Sequence, residues 1–133
     1  MGGGAGNDAP HLPSPAAIEA YGNGGFRFAG MSHRGSLLCF PDGIWAWPVE
    51  DLAGLTAEAL EPTFARAGAL DMFLIGGGRD PFHLPEALRA RFQALSLSVD
   101  AMATGAAVRT YNILLAEQRR VGAALIAVDW QAR

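Results

Sequence analysis

The sequence contains no lysine, only one cysteine and no long hydrophobic run. All ten basic residues are arginine, which excludes Schiff-base chemistry and the phosphate-contacting lysine of a P-loop. Cys39 cannot form an intramolecular disulfide, so a reducing compartment fits better than a secreted one and we expect the cytoplasm. Glycine or charged residues interrupt every apolar run well before the about 18 residues that a membrane span needs. Any association with a membrane is therefore expected to be peripheral.

The chain also lacks an excess of positive charge and the spacings that mark common catalytic or metal sites. Its formal net charge is −3, whereas binding to nucleic acid through counterion release needs a concentrated positive surface. The histidines His11, His33 and His83 lie far apart, Cys39 has no CxxC partner, and no serine lies in a G-x-S-x-G elbow. We therefore predict no nucleic-acid partner, no metal, no cofactor and no catalytic residue.

Length and composition indicate one folded domain. Of the 133 residues, 50% are hydrophobic and 17% are charged, which is typical of a densely packed globular chain. Residues 1–15 are rich in glycine, proline and alanine but have neither the basic nor the continuous apolar region of a signal peptide. We expect residues 1–15 to be a flexible tail and residues 16–133 to form a single domain.

The N-terminal half has the pattern of short, locally paired strands. Segments 18–21 and 26–28 flank a glycine-rich turn and predict a hairpin. Segments 36–40 and 44–48 flank Pro41-Asp42-Gly43, a turn sequence. Trp45 and Trp47 fall on one face of the last strand, where at least one of them is expected to pack in the core.

The C-terminal half alternates helices and strands. From Thr56 onward, Leu60 and Phe64 have helical spacing and Gly68 is a plausible stop, while Pro62 either begins this helix or kinks it. The remaining predicted elements are a buried strand at 70–75, a helix at 85–95, a short strand at 97–99, a helix at 105–120 with Thr104 as its N-cap and Arg119 and Arg120 at its C-terminal end, and a strand at 121–128. This order predicts a three-layer α/β domain, in which a β-rich N-terminal half packs with a mixed, partly parallel sheet flanked by helices.

The best candidate for a ligand pocket is the turn Gly76-Gly77-Gly78-Arg79, which follows the predicted buried strand. Ligands in open α/β sheets bind beyond the carboxyl ends of strands. If the start of the last helix lies nearby, then Thr104, Gly105, Arg79 and Arg109 could surround one small anion. Pro81 occupies the third glycine position of a dinucleotide fingerprint, so that class of ligand is disfavoured. The structural alternative is a tight turn that another element approaches closely.

The last predicted helix also offers a surface for a partner. Its apolar face consists of Ala107, Val108, Tyr111, Leu114 and Leu115. Asn112, Ile113 and Arg119 lie outside that face and are candidates for an interaction surface, and the apolar Ile113 beside a polar stripe leaves room for a homodimer. A patch formed by Trp45, Trp47 and Trp130 is an alternative docking surface.

Three ordered segments resemble a known family: AAVRTYNILLAEQRRVGAALI at 106–126, AYGNGGFRFAGMSHRGS at 20–36 and LIGGGR at 74–79. The mitochondrial member of this family is the third assembly factor of respiratory complex I, and its bacterial and archaeal relatives are mostly of unknown function. The resemblance implies a compact three-layer α/β domain that assists assembly of a larger complex, with no established catalytic residue. We therefore expect a non-catalytic accessory protein that binds protein partners such as respiratory-complex subunits. The alternative is a small enzyme or a domain that binds an anionic metabolite at the glycine turn and the Thr104 helix start.

Overall fold

The computed structural model describes residues 9–129. Within this range the chain forms eight strands and three α-helices. In chain order they are β1 (Ile18–Gly22), β2 (Gly25–Phe28), β3 (Met31–Arg34), β4 (Ser36–Phe40), β5 (Gly43–Trp47), α1 (Glu61–Ala65), β6 (Met72–Gly76), α2 (Glu86–Ala94), β7 (Ser98–Met102), α3 (Thr104–Ala116) and β8 (Val121–Leu125).

The strands form two sheets. Strands β1, β2 and β3 make a small antiparallel sheet, and the other five make a larger sheet in the order β5-β4-β8-β6-β7. In the larger sheet β4 is antiparallel to β5 and β8, whereas β6 is parallel to β7 and β8. The predicted mixed, partly parallel sheet is therefore confirmed. The sequence did not predict β3, because the letters MSHR carry no apolar alternation and this edge strand is mostly exposed.

The larger sheet is the middle of three layers, as predicted. Its side chains on one face, including Phe73, pack against Phe64 of α1 and Phe92 of α2. The opposite face packs against α3, through Tyr111, and against Phe28 of the small sheet. Both faces of β6 are thus covered, which explains its almost continuous apolar sequence.

Several predicted boundaries are corrected by the structure. The first helix is only Glu61–Ala65, with Pro62 in its first turn, so proline begins the helix rather than kinking a longer one. The last helix ends at Ala116 instead of continuing to residue 120, because Gln118 adopts a left-handed φ of 63°. The strand predicted at 97–99 is Ser98–Met102, and the last strand ends at Leu125 rather than at residue 128.

Part of the predicted tail touches the larger sheet. The backbone of Ile44 in β5 exchanges hydrogen bonds with His11 and Leu12, both at 2.9 Å. Trp130, one member of the predicted tryptophan patch, lies outside the described residues. Among residues 9–129 no helix has the length and apolar character needed to cross a membrane.

Candidate functional site

The glycine turn joins three elements at one corner of the larger sheet. Gly76 ends β6, and a Cβ built on it would lie 2.8 Å from the Cα of Thr104, so the start of α3 approaches the strand where only glycine fits. Gly78 has a φ of +114°, a left-handed conformation that favours glycine. The close approach proposed from sequence is therefore present in the structure.

Thr104 is not the predicted N-cap, because its hydroxyl bonds to two other backbone segments. The residue that precedes the helix is Ala103, which makes no side-chain cap hydrogen bond. The buried Thr104 hydroxyl accepts a hydrogen bond from the Gly78 N–H at 2.9 Å and donates one to the Ile126 carbonyl at 2.7 Å. The helix begins at Thr104 itself, and its side chain faces the glycine turn and Ile126, the residue after β8, instead of the first helical turn. Its hydroxyl thus already accepts one hydrogen bond and donates another within the chain.

The structure brings together only part of the predicted anion site. Gly77, Gly78 and Arg79 line a cavity of about 740 Å³, which we call the corner cavity. Gly105 instead lies against the Tyr21 side chain. Arg109 is exposed on α3 and does not line the cavity.

The charges around the corner cavity oppose an anion. Glu50, Asp51 and Asp129 line it together with Arg79, so its lining has three acidic residues and one basic residue. Each like charge near a bound anion would weaken binding. The geometry of this corner therefore serves the fold more directly than it serves recognition of phosphate or a carboxylate.

The three surface candidates on α3 have different environments. Ile113 is 58% exposed. Arg119 lies beyond the end of the helix, not within it as predicted, with its Nε 3.7 Å from a carboxylate oxygen of Asp71. Arg120 likewise lies past the helix, and hydrogen bonds from its backbone and side chain hold the pKa of Asp71 below the usual value. Both arginines therefore pair with a side chain beside β6 rather than with the helix dipole.

Asn112 anchors the small sheet to α3. Its side-chain oxygen accepts from the Ile18 N–H at 2.8 Å, and its amide group donates to the Ile18 carbonyl at 2.9 Å. The amide side chain therefore replaces a neighbouring strand at the outer edge of β1.

We expect Asn112→Leu to destabilise the protein by about 1–3 kcal/mol, because it leaves two backbone groups of Ile18 without partners. Asn112→Gln keeps the amide and is the matched variant. Urea unfolding measures the free energies. Equal stability of the leucine variant and the wild type would show that this anchor contributes nothing.

A second surface, which sequence analysis only partly identified, lies along β5. We call it the aromatic groove, and its volume is about 690 Å³. It lies between β5 and the segment that leads into α1. Its lining residues are Leu38, Phe40, Trp45, Ala46, Trp47, Pro48, Val49, Gly54, Thr56, Glu58, Ala59, Pro62 and Arg66.

The wall of the aromatic groove is held in place by polar and cation–π contacts. The Arg66 guanidinium carbon lies 4.4 Å from the Phe40 ring centroid and 4.7 Å from that of Trp45. Arg66 also donates to both carboxylate oxygens of Asp42, at 3.1 and 3.2 Å. The Trp47 indole N–H donates to the Ala59 carbonyl at 2.9 Å. A groove fixed in this way loses little side-chain entropy when a partner binds.

Of the two neighbouring tryptophans, Trp47 is buried and Trp45 is half-buried. The prediction that at least one packs in the core is confirmed by Trp47. Sequence analysis missed Phe40 and Arg66 as parts of the surface. The available signal was an Arg four residues after Pro62, directly after a short helix, but it does not reveal which strand this segment covers.

A smaller cavity of about 450 Å³ lies on the other side of the β5 edge. We call it the imidazole cavity, because His11 and His33 line it, with ring centroids 4.9 Å apart. Burial and the neighbouring His11 lower the pKa of His33, while a hydrogen bond with the backbone of Ser36 opposes them. Arg34, Trp45 and Ala46 also line this cavity.

The lowered pKa of His33 predicts a stability that depends on pH. The ordinary pKa of histidine is 6.5, so below that pH the unfolded chain binds the proton more readily than the folded chain does. The free energy of unfolding should therefore decrease as the pH falls from about 7 through the window below 6.5. Urea unfolding between pH 7.5 and 5 tests this. His33→Gln should flatten the dependence, and the same replacement at the exposed His83 is the control.

Cys39 does not have the environment of a nucleophile. It is fully buried, and burial raises the pKa of its thiol to about 12. The Tyr111 hydroxyl beside it is also buried, which raises the pKa of that phenol. Among the described residues, no group of three or more histidine, cysteine or acidic side chains is arranged to hold a metal ion.

The fold and these surfaces define a mixed-sheet α/β domain with a preformed aromatic groove at one sheet edge. The chain belongs to the family described as "Protein of unknown function (DUF498/DUF598)", whose model matches residues 18–126. The resemblance noted from sequence is confirmed at this level.

Two relatives and one solved structure illustrate the range of similarity. An uncharacterized protein of Rhodobacter capsulatus is 43% identical over 122 residues, which cover 89% of this chain and 92% of that protein. The crystal structure of a Bartonella henselae chain described as an outer membrane protein superposes with a TM-score of 0.85 at 47% identity, and the match covers 89% of this chain and 99% of that chain. The mouse NADH dehydrogenase [ubiquinone] 1 alpha subcomplex assembly factor 3 is 28% identical over 116 residues. That match covers 86% of this chain and 62% of the mouse protein.

Proposed function

We propose that this protein is a non-catalytic accessory factor that binds other proteins and assists assembly of a respiratory NADH dehydrogenase. The similarity to the mouse assembly factor supports the direction of this proposal. The observation that carries it is the aromatic groove, where the half-buried Trp45 and the neighbouring Phe40 both pack against the Arg66 guanidinium. The partners are respiratory-complex subunits, and the protein needs no cofactor for this role.

The aromatic groove has the chemistry of a protein-binding surface. Tryptophan and arginine are enriched among residues that dominate binding energy, and such residues lie in preformed pockets with polar rims. Here the rim is supplied by Glu58 and by the Arg66–Asp42 pair. The exposed Ile113 on α3 is the other apolar candidate, and it lines neither the aromatic groove, the corner cavity nor the imidazole cavity.

Complementation of a gene deletion tests this function. In a bacterial host that carries the gene and a multisubunit NADH dehydrogenase, we expect deletion to reduce the assembled complex seen by in-gel NADH dehydrogenase activity. Wild-type and Trp45→Phe chains should restore it, whereas Trp45→Ala should not. Ile113→Ser is the matched control outside the groove and should restore it. Unchanged assembly in the deletion strain would rule the proposal out.

The second candidate function is binding of an anionic metabolite at the corner cavity, which Gly77, Gly78 and Arg79 line. Because three carboxylates share this cavity, we expect phosphate, sulfate and citrate to leave the thermal unfolding midpoint of the protein unchanged. Stabilisation by one of these anions that disappears in Arg79→Ala would favour this candidate instead. Arg109→Ala tests in the same way whether the exposed arginine on α3 takes part.

A further inference from the structure

The imidazole cavity contains a buried nitrogen without a partner. The Nε2 atom of His33, on β3, is shielded from solvent and forms no hydrogen bond with the described part of the chain. Buried polar atoms in this condition are rare in native proteins, and an ordered water or a bound ion commonly explains them. Gly35 also lines the cavity, and a Cβ built on it would lie 3.9 Å from this nitrogen. Because glycine has no side chain, there is room for a ligand beside Nε2.

The other ring nitrogen of His33 forms the hydrogen bond with the backbone of Ser36. That bond raises the pKa of the ring, as a bond to an accepting carbonyl does, and it belongs to Nδ1 because Nε2 has no partner. A backbone carbonyl that accepts from Nδ1 leaves the lone pair on Nε2, and this arrangement orients the histidine ligands of metal ions. Burial lowers the pKa of His33, which favours the neutral ring that a metal ion requires.

His11 supplies a second imidazole at a suitable distance. The ring centroids of His11 and His33 lie 4.9 Å apart, and the ring planes are tilted by 57°. Two imidazoles that share one tetrahedral metal ion have nitrogen–metal bonds of about 2.0–2.1 Å, which places their ring centroids about 5 Å apart. Because the His11 side chain is exposed, its ring can turn a nitrogen towards Nε2 of His33 while its backbone stays bonded to Ile44.

The residues that line the imidazole cavity indicate the kind of ion. The lining that the structure describes includes no acidic residue and no cysteine. Ca²⁺ and Mg²⁺ prefer oxygen ligands, so this lining disfavours them. Neutral imidazole is instead a ligand of Zn²⁺, Cu²⁺ and Ni²⁺.

We propose that His11 and His33 together bind one divalent metal ion of the class that prefers imidazole, such as Zn²⁺ or Cu²⁺, with water molecules in the remaining coordination positions. The ion links the segment that contains His11 to β3, and so joins it to the small sheet. The sequence did not indicate this pair, because the two histidines are far apart in the chain and only the fold brings them together. The metal site is independent of the proposed binding of a protein partner.

Calorimetric titration of the metal-free, full-length protein with Zn²⁺ at neutral pH tests this proposal, with a chain that carries no histidine tag. We expect one Zn²⁺ ion to bind to each chain. His11→Gln and His33→Gln should each weaken binding at least about tenfold, because each removes one of the two protein ligands. His83→Gln is the matched control, since this exposed histidine does not line the cavity, and it should bind Zn²⁺ as the wild type does.

The charge of Arg34 provides an electrostatic test of the same site. Arg34 lines the cavity, and its Nη1 atom lies 3.5 Å from the Cβ position of Gly24 in the turn between β1 and β2. Its positive charge opposes a bound cation, so Arg34→Gln should tighten Zn²⁺ binding by about threefold. Arg79→Gln, at the corner cavity, is the control and should leave the affinity unchanged. Weaker Zn²⁺ binding by Arg34→Gln would contradict a cation between these imidazoles.

Spectra of the wild-type protein identify the ligands even if a substitution impairs folding. Zn²⁺ should shift the imidazole nitrogen resonances of His11 and His33 and leave those of His83 unchanged. Bound Cu²⁺ should show electron paramagnetic resonance couplings to two imidazole nitrogens. If the His33 resonances do not respond to Zn²⁺, or if His33→Gln binds Zn²⁺ as tightly as the wild type does, then the binding is adventitious and the proposal is overturned.

Discussion

Thr104→Val is expected to destabilise the protein by about 2–4 kcal/mol, although the two side chains have nearly the same shape. The Thr104 hydroxyl bonds to the Gly78 N–H and to the Ile126 carbonyl. Both partners would lose their hydrogen bond to the buried hydroxyl, and each unsatisfied buried group costs about 1–3 kcal/mol. Urea unfolding measures the loss.

Thr104→Ser is the control for that substitution, because it keeps the hydroxyl and loses one methyl group, worth about 0.8 kcal/mol. Hydrogen exchange adds a local measurement, since the Gly78 amide should exchange faster in the valine variant than in the serine variant. If the valine and serine variants were equally stable, the Thr104 hydroxyl would not be the group that holds the glycine turn, the start of α3 and Ile126 together.

Gly76→Ala should also be costly, by about 1–3 kcal/mol, because it overpacks the same corner. The added Cβ would lie 2.8 Å from the Thr104 Cα and 3.1 Å from the Ala107 Cβ. Relief requires α3 to move away from the sheet, which disturbs the packing of Tyr111. Chemical denaturation at one pH is sufficient to measure this loss.

Gly68→Ala is the matched control for Gly76→Ala. No atom lies within 4 Å of the position where its Cβ would stand, so this substitution should be neutral or stabilising by up to about 1 kcal/mol. If both glycine variants lost the same stability, the close approach of α3 to β6 would not explain the effect at Gly76.

Local sequence patterns predicted most of the architecture. The apolar face of α3 is confirmed, because Ala107, Val108 and Tyr111 are buried. The buried central strand is likewise β6, with Phe73 and Leu74 facing opposite layers. Such patterns depend on neighbours within a few residues of one another, which is why they can be recognised in a single sequence.

The residues whose contacts local patterns did not specify act through distant partners. The capping rule placed Thr104 by its position before an apolar helix, yet its hydroxyl partners are 26 and 22 residues away. Asn112 bonds to Ile18 across 94 residues. Arg66 completes the wall of the aromatic groove through Asp42, which is 24 residues away. No periodicity within one helix or strand specifies these pairs.

The glycine corner and the β5 edge of the larger sheet therefore have different roles. At the glycine corner, the Thr104 hydroxyl at the start of α3 forms hydrogen bonds with Gly78 in the turn and with Ile126. The corner cavity beside them has more acidic than basic lining residues. At the β5 edge, by contrast, the aromatic groove presents Trp45, Phe40 and Arg66. We propose that the protein recognises its partner at the aromatic groove beside β5.

Affinity isolation from the native host tests this central claim most directly. The tagged full-length protein, Trp45→Ala and Arg79→Ala would be expressed at equal levels, and NADH dehydrogenase subunits recovered with each would be quantified. Urea unfolding first confirms that both variants fold. We expect Trp45→Ala to lower recovery more than about tenfold, as for a tryptophan that dominates an interface, and Arg79→Ala to match the wild type. Full recovery with Trp45→Ala and loss with Arg79→Ala would contradict the account.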